Sequence, residues 1–162
     1  MIEYNDKNTL LKLGPLARLD LFTDAVFAIV ITLLAVEIRL PEHVEKGDLV
    51  GALVLMKPVF IAHLISFTVL GSEWVDHHSM FESTRKCTRA LVGCNLLFCL
   101  TLTIIPFLTK LLGYFPDFKP AVVLYSAGIA SMTFAKELIW QVISRQSGSE
   151  QRLPRENHNI MA

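Results

Sequence analysis

Charge is scarce in this sequence. Of 162 residues, 19% are Asp, Glu, Lys or Arg, with 15 acidic and 15 basic side chains and a formal net charge of zero. A soluble domain carries about 25% charged residues. No basic tract is present, so a nucleic-acid partner has no electrostatic footprint and none is expected. Cysteine is scarce as well. Cys87, Cys94 and Cys99 are odd in number and show no CxxC spacing. They read as small apolar helix residues, not as a disulfide framework or a zinc site. The sequence has no P-loop, no GxGxxG and no Ser-His-Asp spacing. Catalysis therefore has no motif to rest on, and neither an enzyme nor a cofactor is expected.

What is present is apolar and segregated. Hydrophobic residues make up 52% of the chain and the mean hydropathy is +0.47. They lie in four blocks, each long enough to cross a bilayer, with most charges between them. The expected fold is all-α: a polytopic membrane protein with four transmembrane helices, at about 17–40, 49–78, 90–112 and 121–143. These form a single transmembrane channel-like domain over 1–143, followed by a polar tail, 144–162, whose Ser, Gln, Arg, Glu and Asn content predicts disorder. Pro15 and Pro41 flank the first helix, Lys57-Pro58 predicts a kink in the second, and Pro106 lies in the third. The first block is too long for a cleaved signal peptide, carries Asp24 and Glu37, and has no clear small-residue cleavage site.

Lysine and arginine set the expected orientation. Lys7, Lys12, Arg18, Arg85, Lys86, Arg89, Arg145, Arg152 and Arg155 fall on one side, and Arg39, Lys46, Lys110 and Lys119 on the other. That excess places both termini in the cytoplasm.

The first helix carries the most information. At 100° per residue, Arg18, Phe22, Ile29, Leu33 and Val36 fall within about 60° of one another, with Thr32 at the edge of the stripe and Asp24 about 140° from Ile29. By periodicity alone, such a stripe faces lipid or another helix. A carboxylate within a membrane helix needs partners. His77 and Asn95 lie at compatible depth if consecutive spans are antiparallel. With Trp74 and Thr23 they are expected to form a structural hydrogen-bond network that sets the tilt of helix one. His77 and His78 diverge by about 100° on a helix and cannot easily chelate one ion, so no metal site is expected. His63 reads as a packing residue, and Lys136-Glu137 as a pair that snorkels or finds an ionic partner.

Arg18-x-x-x-Phe22-Thr23-Asp24 resembles the RxxxFSD signature of the transmembrane-protein-175 family of potassium channels, and Phe27–Ile38, FAIVITLLAVEI, is similar to its prokaryotic pattern. Ser66-Phe67 followed by Trp74, His77-His78 and Phe81 resembles the family's SF…W-x-x-HH-x-x-F. Asn95-Leu96-Leu97-Phe98 with Pro106 resembles its third helix, and the Tyr125…Trp140 spacing is compatible. The resemblance covers about residues 15–143. Thr23 replaces the family's usual serine and keeps the hydroxyl. Prokaryotic members usually have six spans; here four are read, with a polar segment in place of the last two.

The resemblance implies a potassium-permeable cation channel without the TVGYG filter of ordinary potassium channels. Copies of helix one would surround a central axis, in a homotetramer for a single-repeat prokaryotic member. It implies a pore constriction at Ile29, with Leu33 and Val36 below it, and a selectivity layer at Thr32. The implied partners are potassium ion and the lipid bilayer, in the cell membrane of a prokaryote or the endosome or lysosome membrane of an animal. The alternative is a non-conducting four-helix membrane protein, such as a truncated family member that modulates full-length channels.

Overall fold

The computed structural model describes residues 14–41, 47–84 and 86–150. Among them the chain forms five α-helices and no strand: α1 (Pro15–Val36), α2 (Leu49–Leu55), α3 (Lys57–Glu82), α4 (Arg89–Tyr114) and α5 (Lys119–Glu150). All except the short α2 are long and apolar enough to cross a membrane. Each buries a narrow stripe at helical spacing. On α1 it is Leu19, Thr23, Phe27, Val30 and Leu34; on α3 it is Val59, Ala62, Ser66, Leu70, Glu73, His77 and Phe81. The rest of the surface stays apolar and exposed, from Leu21 and Ile29 on α1 to Phe134 and Trp140 on α5. A soluble bundle shows the reverse pattern, with a polar outer face.

α4 is the centre of the bundle. It packs against α1, α3 and α5; α1 also packs on α3, while α3 and α5 meet only slightly and α1 and α5 make no close backbone approach among the described residues. Phe27, Leu70, Phe98, Leu102, Ile105, Met132 and Ile139 form the apolar core. At the far end of α4, Gly113 is buried, and a methyl group there would lie 2.9 Å from the Val59 Cα. The backbones of α3 and α4 meet at that point.

Element boundaries depart from the sequence reading for identifiable reasons. α1 stops at Val36, where the Ile38 N–H turns to the Ala35 carbonyl (3.2 Å) and closes the last turn, and Pro41 keeps Leu40 from resuming the helix. The expected helix 49–78 is two helices. Pro58 has no N–H to give the preceding turn, so α2 closes at Leu55, with the Met56 N–H on Ala52 O, and α3 restarts at Lys57 and runs to Glu82. α4 keeps Pro106 inside it, and the Thr109 hydroxyl donates to the Ile105 carbonyl (2.8 Å).

The last helix continues to Glu150, past the expected boundary at 143. Gln146 explains part of this extension. Its amide nitrogen donates to Thr88 Oγ1 (3.0 Å), the side chain that caps the start of α4 by accepting from the Leu91 N–H (3.3 Å). Residues 151–162, and Lys7, Lys12, Lys46, Arg85, Arg152 and Arg155 of the orientation argument, lie outside the described residues.

Candidate functional site

The features of α1 divide between two faces. The inward face holds a polar cluster among aromatic rings. Thr23, fully buried, donates its hydroxyl to the Leu19 carbonyl (3.0 Å) and accepts from Asn95 Nδ2 (2.7 Å). The Asn95 carbonyl oxygen lies 2.9 Å from His77 Nε2. Because the Asn95 amide nitrogen is used on Thr23, this oxygen is the acceptor and His77 Nε2 carries the hydrogen. The imidazole is enclosed by Phe81 (centroids 4.3 Å apart), Phe98 (5.4 Å, nearly parallel) and Phe27 (6.2 Å). Cys99 Sγ sits 3.8 Å from Thr23 Oγ1 and completes the packing. Thr23, Asn95 and His77 thus link α1, α4 and α3 through one chain of bonds. The threonine performs this role with the hydroxyl it shares with serine.

Asp24 does not belong to this chain, contrary to the sequence expectation. Its Oδ1 accepts from Trp74 Nε1 (2.7 Å), whose indole stacks on His78 (5.8 Å). The reason is angular. Asp24 is one residue, or 100°, round α1 from Thr23, so Thr23 meets Asn95 on α4 while Asp24 meets Trp74 on α3. The expected single network is two separate contacts, Thr23–Asn95–His77 and Asp24–Trp74.

A second attachment lies at the other end of α1. Lys110 Nζ is 2.8 Å from Glu37 Oε2, and the Tyr114 hydroxyl donates to the Arg39 carbonyl (3.4 Å). Asp24 and Glu37 are 13 positions apart, about 20 Å along the axis. Between them α1 meets the bundle through apolar side chains: Phe27, Val30 and Leu34 are buried, and Val26 and Ile31 pack beside them.

The outward face carries the stripe. Ile29 is 59% exposed, Val36 54% and Leu33 44%, and Phe22, Arg18 and Thr32 are exposed beside them. Among the described residues, no part of the chain covers the stripe. Thr32 donates its hydroxyl hydrogen to the Ile29 carbonyl (2.8 Å). Its oxygen lone pairs are left to point away from the helix.

Two further polar contacts join the helices, through partners that the sequence reading did not name. Thr109 Oγ1, its hydrogen already on the Ile105 carbonyl, lies 2.7 Å from Ser66 Oγ and accepts from it; Ser66 in turn lies 2.9 Å from the Tyr125 hydroxyl, joining α4, α3 and α5. Lys136 reaches from α5 to Glu73 (2.9 Å) and Asp76 (2.6 Å) on α3. A signal for the second existed, since Glu73 and Asp76 are three apart on one helix and place two carboxylates where one lysine can meet both. His63 on α3 lies beside Phe67, 6.5 Å between ring centroids, as a packing residue does.

Known proteins resemble this arrangement. The family described as the endosomal/lysosomal potassium channel TMEM175 matches residues 18–106. A potassium channel of Streptomyces collinus is 34% identical over 132 residues, covering 79% of this chain. The chain spans 64% of that relative's length. The human endosomal/lysosomal proton channel TMEM175 is 40% identical over 88 residues, 49% of this chain and 18% of the human protein. The crystal structure of a Chamaesiphon minutus homolog of the lysosomal potassium-selective channel TMEM175 superposes with a TM-score of 0.77 at 30% identity, covering 84% of this chain and 75% of that one.

Proposed function

The chain belongs to the TMEM175 family and is a multi-pass membrane protein, and on that premise we propose that it forms a potassium-permeable pore lined by α1. Copies of the chain surround one axis, most simply as a homotetramer, with both termini in the cytoplasm. Ile29, Leu33 and Val36 form the apolar constriction, and Thr32 the selectivity layer. One observation carries this reading. The face of α1 that holds the family's pore pattern is the face its own bundle leaves uncovered, while Leu19, Thr23, Phe27, Val30 and Leu34 are buried.

The physical account is short. A ring of isoleucines offers no ligand to a cation, so a narrow ring dewets and stops conduction until it widens. A ring of threonines whose hydrogens are turned back into the helix presents oxygen atoms that partly replace lost water. Such a layer favours the weakly hydrated potassium ion over sodium, and only modestly. Thr23, Asn95, His77, Trp74 and Asp24 hold the angle of α1 and do not meet the ion. Arg18 and Phe22 lie on the stripe's own face.

The test is potassium flux into liposomes containing the purified protein, with sodium and an impermeant organic cation as controls, beside its mass in mild detergent. A tetramer that passes potassium, sodium less well, and the organic cation not at all supports the proposal. A monomer without flux refutes it. That outcome, with altered currents on co-expression with a full-length relative, would establish the non-conducting modulator instead.

A further inference from the structure

Among the described residues α5 makes no close backbone approach to α1, and within the chain α3 and α4 stand between them. One turn of α3 is placed to couple the two. From Glu73 to His77, successive side chains point to three neighbours. Asp76 and Glu73 reach Lys136 on α5 (2.6 and 2.9 Å), Trp74 reaches Asp24 on α1 (2.7 Å), and His77 reaches Asn95 on α4 (2.9 Å). Glu73 and His77 lie within about 40° of each other, Trp74 to one side and Asp76 to the other. Apart from the Ser66–Tyr125 bond (2.9 Å), α3 and α5 meet little elsewhere; a cleft of about 330 Å³, lined by Asp76, Ser79, Thr133 and Trp140 among others, separates them beside the lysine.

Lys136 and Glu73 are not surface decoration. Their side chains are only 17% and 11% exposed, and both lie in helices able to cross a membrane. Charges kept there are costly. A neutral pair of similar volume generally serves stability as well or better, so the best-attested use of a buried ion pair is to fix register.

We propose that Lys136 is a positioning residue for the pore helix. Through Glu73 and Asp76 it fixes the turn of α3 that presents Trp74 to Asp24, and so sets the tilt of α1 from the far side of the bundle. The inference rests on the channel reading above for its consequence, but not for its geometry. It predicts that removing the ion pair alters conduction without altering ion preference, because Thr32 is left in place.

The experiment uses a Trp140→Phe background, which leaves Trp74 as the single tryptophan of the two in the chain. Lys136→Met, Glu73→Gln/Lys136→Met and Lys136→Arg are compared as reconstituted full-length protein. The double variant carries no stranded buried carboxylate at Glu73 and keeps the test decisive where Lys136→Met alone fails to assemble.

In the double variant, Trp74 emission is expected to shift and acrylamide quenching to rise as its bond to Asp24 loosens. Potassium current per tetramer falls about tenfold, the change that 1.4 kcal/mol produces, at an unchanged potassium-to-sodium ratio. Lys136→Arg keeps both signals. Wild-type Trp74 quenching in the double variant overturns the proposal, and so does a Lys136→Arg protein as impaired as Lys136→Met. If the unmutated protein passes no potassium, the channel reading fails by itself, and the Trp74 signal still decides whether Lys136 positions the turn.

Discussion

Replacing Asn95 by leucine isolates the contact that fixes α1 to the bundle. The two side chains are close in size, so the packing among Phe98, Cys99 and Phe27 is largely kept while both polar atoms disappear. Two interhelical bonds are lost, to Thr23 (2.7 Å) and to His77 (2.9 Å). Their costs differ. Thr23 still donates to the Leu19 carbonyl and loses only an incoming donor, which by the average for interhelical bonds in membranes is worth about 0.6 kcal/mol. His77 is left with a fully buried N–H and no acceptor. Moving the hydrogen to Nδ1 gives no relief, because that atom is also buried without a partner among the described residues. A stranded buried donor costs about 1–3 kcal/mol, so the total is about 2–4 kcal/mol.

Asn95→Leu, His77→Leu and the double variant are then unfolded by sodium dodecyl sulfate from mild detergent, with helix content as the signal. The double variant is expected to be little worse than Asn95→Leu alone, a coupling of about 1–2 kcal/mol. Asp24→Ala and His77→Leu are expected to add within about 0.5 kcal/mol, because Asp24 bonds Trp74 and not the histidine. Stronger coupling of His77 to Asp24 than to Asn95 would refute this division of the polar residues.

Three further outcomes are expected. Ile29→Asn places an amide ring at the proposed constriction and should raise ion leak in liposomes; equal leak from mutant and wild-type tetramers removes Ile29 as the gate. Thr32→Val keeps the shape and removes the outward oxygen, and should lower the potassium-to-sodium permeability ratio read from reversal potentials with little change in assembly. Gly113→Ala forces apart the α3 and α4 backbones, which leave no space for a methyl group, and should destabilise the bundle by about 1–3 kcal/mol in the same detergent titration.

How far the sequence alone reached is best judged helix by helix. The four spans were legible because hydropathy over twenty residues is a property of consecutive side chains, independent of what packs where. The stripe Ile29–Leu33–Val36 was legible because a helix repeats every 3.6 residues. Periodicity said that the stripe shares a face, but it was silent on whether that face was covered. The break at Met56 was half legible. Pro58 announced a disturbance, but kink and break differ only in whether the preceding turn finds other donors, and here it closes on itself through the Met56 N–H.

Pairings among polar residues followed a different rule. That Thr23, Asp24, Trp74, His77 and Asn95 bond across helices was readable, since they are polar groups at similar depth in apolar helices, and such groups need partners; that they form two separate contacts was not. Nor was partner choice. It turns on the 100° between Thr23 and Asp24, which sends the first to Asn95 on α4 and the second to Trp74 on α3, a matter of rotation between helices distant in sequence. Lys136 shows the same limit: its charge demanded a counter-ion, but only the approach of α5 to α3 selected Glu73 and Asp76 over its own neighbour Glu137. Composition and periodicity by themselves determined that this chain crosses the membrane in four helices with a particular apolar face on the first, because those are local consequences of side-chain chemistry. Which face is turned from the bundle, and which polar atoms hold it there, only the tertiary structure decided, because both depend on the relative rotation of helices that no local pattern encodes.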